Sequence, residues 1–66
     1  MDIAQGLRKA RKSADKSQAE IAEFLKTSRT NYIRYEMGQC DIPVKHLIAL
    51  ADLYKLTLDE LVGRSV

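Results

Sequence analysis

Residues 17–38 read SQAEIAEFLKTSRTNYIRYEMG, and the spacing within that stretch describes two short helices joined by a tight turn. Ser17 followed three residues later by Glu20 is a capping box, in which each side chain satisfies a backbone donor that the helix start would otherwise leave unpaired. The first helix therefore begins at Gln18. Ile21, Ala22 and Leu25 share one apolar face, and Ala22 is small enough to let another helix cross closely. Lys26 and Thr27 make the turn, and Ser28 is a second N-cap. At about 100° per residue, Tyr32, Tyr35 and Glu36 then collect on one side of the second helix, with Thr30, Ile33 and Arg34 opposite and Arg29 at the exposed N-terminal edge. Gly38 ends it. The second helix offers one face to a core and leaves the other free.

Working outward, the pattern gives three more helices and no credible strand. The first runs from about Asp2 to Ala14, with Ile3, Leu7, Ala10 and Ala14 in a stripe and Arg8, Lys9 and Lys12 outside it. The fourth starts near Pro43, whose fixed φ suits a first turn, carries Leu47, Leu50, Ala51 and Tyr54 on one face and ends before Lys55. Thr57 with Glu60 is another capping box, so a short fifth helix spans about Leu58 to Val62 and stops at Gly63. There are no repeats, linkers or low-complexity segments. Tyr32, Tyr35 and Tyr54 sit at apolar helical positions and are read as core residues with an exposed hydroxyl rather than as a stacking platform.

Sixty-six residues build one modest core in a single domain, residues 1–66. The one cysteine, Cys40, excludes an intrachain disulfide and fits a reducing cytoplasm. No apolar run is long enough to span a membrane, and Met1-Asp2 leads straight into helix rather than into a signal peptide, so a soluble, cytoplasmic protein is expected. Net charge is only +2, but residues 1–45 carry nine Lys or Arg against six Asp or Glu, while residues 46–66 carry two against three. That asymmetry turns the first three helices toward a polyanion; from charge alone, a solvated basic face with no partner is the better reading. His46 has no nearby ligand cluster and Cys40 no catalytic partner, so no metal or cofactor is expected. Nor is there a paired carboxylate cleft, a nucleophile with a base or a phosphate loop, and the chain is not expected to be an enzyme.

The run S-Q-x-x-x-A-x-x-L-x-x-S-R-x-x-x-x-R-Y-E-x-G resembles the helix-turn-helix of the phage-repressor (Cro-type) or Xre family of DNA-binding regulators. The similarity extends from Ile3, Leu7 and Arg11 to IPVKHLIALADLYKLTLDELVGR, nearly the whole chain, and it holds register across five helices without a gap. It implies an all-α, five-helix lambda-repressor-like DNA-binding domain. Arg11 and Glu36 match an Arg and a Glu that in the family form a partly buried ion pair tying the first helix to the end of the recognition helix. Gln18 matches the family's glutamine at the start of helix two, whose amide and neighbouring N–H groups donate to a phosphate. Ser28, Arg29, Thr30 and Arg34 match positions that reach base edges or flanking phosphates.

A guanidinium pairs in bidentate fashion with guanine O6 and N7, so at least one guanine is expected in each half-site. Ile33 lies on the same face, where a thymine methyl would be a natural partner; the alternative is a single surface apolar residue. Asn31, at the flank, is expected on a phosphate. The segment from Gly38 to Lys45 is expected along the DNA backbone, with Gln39, Lys45 and the N–H groups opening helix four as contacts.

Three departures from the family pattern bear on stability rather than on the recognition face. Asp15-Lys16 stands where many members carry Gly-Leu, Lys55 where Gly or Asn is common, and Met37 where a polar or basic residue is frequent. A single module buries only about 600–1,000 Å² on DNA, so a homodimer on a palindromic operator is expected, with half-sites roughly 34 Å apart. Leu53, Leu56, Leu58, Val62 and Val66 at the C-terminal end offer an interface, unless they only close the core. The favoured function is a sequence-specific transcriptional regulator, a repressor by occupancy, controlled by concentration, proteolysis or a protein antagonist. The alternative is a protein-interaction module or antitoxin-like subunit on the same fold.

Overall fold

Capping chemistry sets where the helices begin. In a computed structural model that describes residues 3–62, five α-helices follow one another: α1 (Ile3–Ser13), α2 (Gln18–Phe24), α3 (Arg29–Met37), α4 (Val44–Tyr54) and α5 (Leu58–Leu61). Both capping boxes form. The Ser17 hydroxyl accepts from the Glu20 N–H while Glu20 accepts from the Ser17 N–H, and Thr57 and Glu60 repeat the arrangement at α5. Ser28 caps α3 by accepting from the Asn31 N–H. Pro43 is the N-cap of α4 rather than its first helical residue, and no side chain caps that terminus.

Helix ends are set by left-handed residues. Gly38 closes α3 at φ 74°, while Asp15, Lys26 and Lys55, each at φ 57°, follow α1, α2 and α4. Asp15 and Lys55 stand at positions where the sequence lacks the glycine common in the family, and the turn residue Lys26 is a third left-handed position. Each such residue is followed by a backbone bond reaching back across the helix end, Lys16 to Arg11, Thr27 to Ala22 and Leu56 to Ala51. The turn chemistry of glycine is thus met by side chains that strain to meet it.

Leu7, Ala10, Ile21, Ala22, Leu25, Tyr32, Tyr35, Leu50, Ala51 and Leu61 form one core. On α1 the buried stripe is Ala4, Leu7 and Ala10; Ile3 is 40% exposed and Ala14 is exposed, so the expected stripe is shifted at both ends. Helix α1 lies across both α3 and α5. Its contact with α5 needs Gly6, since a Cβ there would stand 2.3 Å from the Leu61 carbonyl oxygen. Leu53 and Leu56 pack against this core, Val62 is half-buried and Leu58 is 44% exposed, so much of the C-terminal apolar surface closes the monomer. Asp2, Gly63 and Val66 lie outside the described residues.

The tyrosine hydroxyls depart from expectation. Those of Tyr32 and Tyr54 are buried without a hydrogen bond of ordinary geometry, rather than reaching solvent. Burial, then the neighbouring Glu36 charge, pushes the Tyr54 phenol up to about 12, and burial raises Tyr32 as well. Tyr35 meets Tyr32 edge-on at 6.2 Å between ring centres.

Candidate nucleic-acid interface

Glu36 is the pivot behind α3. Its side chain is 1% exposed, and its carboxylate accepts from Arg11 Nε at 2.7 Å, Arg11 Nη2 at 3.3 Å and Gln18 Nε2 at 3.2 Å. Arg8 donates to the Glu36 backbone carbonyl, and Arg11 Nη1 donates to the Lys16 carbonyl at 2.8 Å. Burial pushes the Glu36 carboxyl up, but the Arg11 bonds, the adjacent Tyr32 hydroxyl and Gln18 outweigh it and hold its pKa below the ordinary value. Hydrogen bonding to Glu36 outweighs burial and raises the Arg11 guanidinium in turn. Helices α1, α2 and α3 are therefore pinned at one charged point, which fixes the angle at which α3 presents its far side.

That far side carries Thr30 and Arg34, both exposed, with exposed Arg29 and Ser28 at the N-terminal end. Ile33 is half-buried at one flank and Asn31 half-buried at the other. Arg34 and Arg29 project two guanidinium forks from a helix held rigidly from behind, an arrangement suited to bidentate acceptors. Gln18 is half-buried, and one of its amide hydrogens is spent on Glu36, leaving one for an outside acceptor. Gln39 and Lys45 are exposed beside the start of α4, where the His46 and Leu47 N–H groups both turn back to the Pro43 carbonyl. With no side-chain cap, the Val44 and Lys45 N–H groups open that helix toward solvent.

Asn31 is placed differently from the phosphate donor that the sequence suggests. Its Nδ2 donates to Thr27 Oγ1 at 2.8 Å and to the Tyr35 hydroxyl at 3.0 Å, so both amide hydrogens are used within the fold. Tyr35 in turn faces His46 Nδ1 at 3.5 Å, joining α3 to the first turn of α4. Burial, then the Lys45 charge, lowers the His46 pKa. Reading the sequence also left Arg8 outside the working face of α1. Its position three residues before Arg11 is the signal that would have found it, because residues three apart share a helix face.

A family model described as helix-turn-helix matches residues 7–61. The chain belongs to the helix-turn-helix family. Two similar curated proteins are transcriptional regulators by name. The cryptic phage CTXphi transcriptional repressor RstR of Vibrio cholerae serotype O1 is 36% identical over 64 residues, covering 97% of this chain and 57% of that protein. The HTH-type transcriptional regulator ImmR of Bacillus subtilis (strain 168) is 33% identical over 64 residues, covering 97% and 50%. The helix-turn-helix chain therefore spans about half the length of these curated relatives. Among solved structures, a transcriptional regulator from Listeria innocua superposes with a TM-score of 0.88 at 29% identity, over 98% of this chain and 61% of its own. Among the described residues, no cluster of His, Cys, Asp or Glu could hold a metal ion, and no helix is long and apolar enough to cross a membrane.

Proposed function

We propose that this helix-turn-helix protein binds double-stranded DNA by laying α3 in the major groove and acts in the cytoplasm as a transcriptional regulator, a repressor that blocks access to an operator without chemistry of its own. The observation that carries this reading is the exposed Arg29, Thr30 and Arg34 face of α3, braced from behind by Glu36, Arg11 and Gln18. Arg29 and Arg34 read guanine, Ser28 and Thr30 read base edges beside them, and Ile33 packs on a thymine methyl. Gln18, Gln39, Lys45 and the uncapped start of α4 hold the phosphates on either side and set the register of α3. The relatives' names as repressor and regulator support the same reading.

The protein acts as a homodimer on a palindromic site, with Leu58 of the C-terminal helix in the contact, because one module this small offers little DNA surface. Truncation after Leu61 should leave a folded monomer in sedimentation; a persistent dimer would place the contact elsewhere. Selection of bound sites from a random duplex library at near-physiological salt tests the main reading. A palindromic motif with guanine-containing half-sites about one helical turn apart is the expected result. The absence of enrichment would instead favour a protein-interaction role, for which Val44 and Ile48, 67% and 47% exposed and one turn apart on α4, offer an apolar patch.

A further inference from the structure

We infer that Asn31 is a specificity-determining residue that accepts a hydrogen bond from the amino group of adenine or cytosine, rather than a phosphate ligand. The inference deepens the DNA-binding reading above and rests on it. A phosphate takes only donors. Both Asn31 donors are occupied, by Thr27 Oγ1 at 2.8 Å and the Tyr35 hydroxyl at 3.0 Å. What remains is the carbonyl oxygen Oδ1, which has no hydrogen-bond partner among the described residues. Buried side-chain polar atoms left without a partner there are the Tyr32 and Tyr54 hydroxyls, so Oδ1 of half-buried Asn31 is not fully enclosed.

The orientation of the amide follows from the chain of bonds behind it. Asn31 donates to the Tyr35 hydroxyl, which leaves the Tyr35 proton free to point at His46 Nδ1, 3.5 Å away and an acceptor in the tautomer that carries its proton on Nε2. Were the amide turned over, Oδ1 would claim the Tyr35 proton, and His46 would keep the bond only by switching to the tautomer that donates from Nδ1. With His46 protonated on Nε2, Asn31 is clamped with an acceptor outward, in the first turn of α3 beside Arg29 and Thr30.

In the major groove, amino donors belong to adenine N6 and cytosine N4, whereas guanine and thymine present acceptors. An unconstrained asparagine discriminates adenine by donating to N7 while accepting from N6. A clamped one has no hydrogen left for N7. It accepts adenine and cytosine alike and repels the keto bases.

The test repeats the site selection with wild type, Asn31→Ala and Tyr35→Phe, each checked for helical content. Wild type should show, on one strand of each half-site, a position that takes adenine or cytosine over guanine or thymine by about two- to tenfold, the worth of a single hydrogen bond. Asn31→Ala should flatten that position and leave the rest of the motif intact. Tyr35→Phe frees one amide hydrogen for N7, so the same position should narrow toward adenine. A motif unchanged by Asn31→Ala, or binding weakened on all sequences alike, overturns the inference, as does an unaltered position in Tyr35→Phe. Should Asn31→Ala fail to fold, Tyr35→Phe decides alone. Failure of wild type to select any motif overturns the DNA reading beneath, which keeps the two failures apart.

Discussion

Glu36 is the one buried charged residue among those described. A carboxylate that is 1% exposed survives in the core only because Arg11 and Gln18 supply its hydrogen bonds. Arg11→Ala should therefore cost about 3–5 kcal/mol, the penalty of stranding a buried charge, measured as a fall in the urea midpoint. The same variant should unfold at higher pH on acidification. Because the folded Glu36 pKa is depressed, its contribution is complete above the ordinary carboxylate range and disappears as pH falls through the folded value; without Arg11 that value rises. The resemblance made Arg11 and Glu36 legible as a pair, whereas Gly6 was invisible. A glycine inside a helical pattern reads only as lost propensity, and its reason lies 55 positions along the chain, in the Leu61 carbonyl that a Cβ would meet at 2.3 Å. Gly6→Ala should destabilise by about 1–3 kcal/mol through overpacking against backbone that has no rotamer to yield, read by thermal unfolding.

At the scale of elements, existence and order were legible because caps and periodicity agree. Ser17 with Glu20, Ser28, and Thr57 with Glu60 each start a helix where the sequence places it. Helix ends were less legible. Gly38 announces its own left-handed turn, but Lys26 adopts φ 57° because packing of α2 against α3 demands it, with nothing in its side chain to say so. The strain is removable. Replacing Asp15, Lys26 or Lys55 by Gly should stabilise by up to about 1 kcal/mol each, the left-handed penalty less the added freedom of the unfolded glycine. Three caps on separate helices should combine nearly additively, and each 1 kcal/mol should raise Tm by about 4–8 °C in a domain of this size. The recognition face was legible as a set of exposed residues; the role of Asn31 was not, because only the fold brings Thr27 and Tyr35 onto its two hydrogens.

Over the whole molecule, four titrating groups bound the range in which the fold is strongest. Acidification through the ordinary histidine pKa protonates the unfolded chain before His46 in the fold, whose pKa is lowered, and so weakens it; Glu36 adds to this at lower pH. At the alkaline end Tyr54, held up to about 12, and Tyr32 stay protonated in the fold while the unfolded phenols ionise from about pH 10. Stability should therefore peak between about pH 6.5 and 10, and phenolate absorbance from Tyr32 and Tyr54 should appear together with unfolding. Tyr54→Phe, which removes a buried hydroxyl without a partner, should soften the alkaline loss without lowering stability at neutral pH. The seat of α5 on Gly6 has one more consequence, for the order of events during translation. Helix α1 emerges from the ribosome before α5, yet the backbone it must touch belongs to Leu61 and Val62. At about 5–20 residues per second, the earlier helices wait seconds for their last neighbour, far longer than a small helical domain takes to fold. The nascent chain thus remains open along α1 until α5 is made, and closes nearly all at once when it arrives.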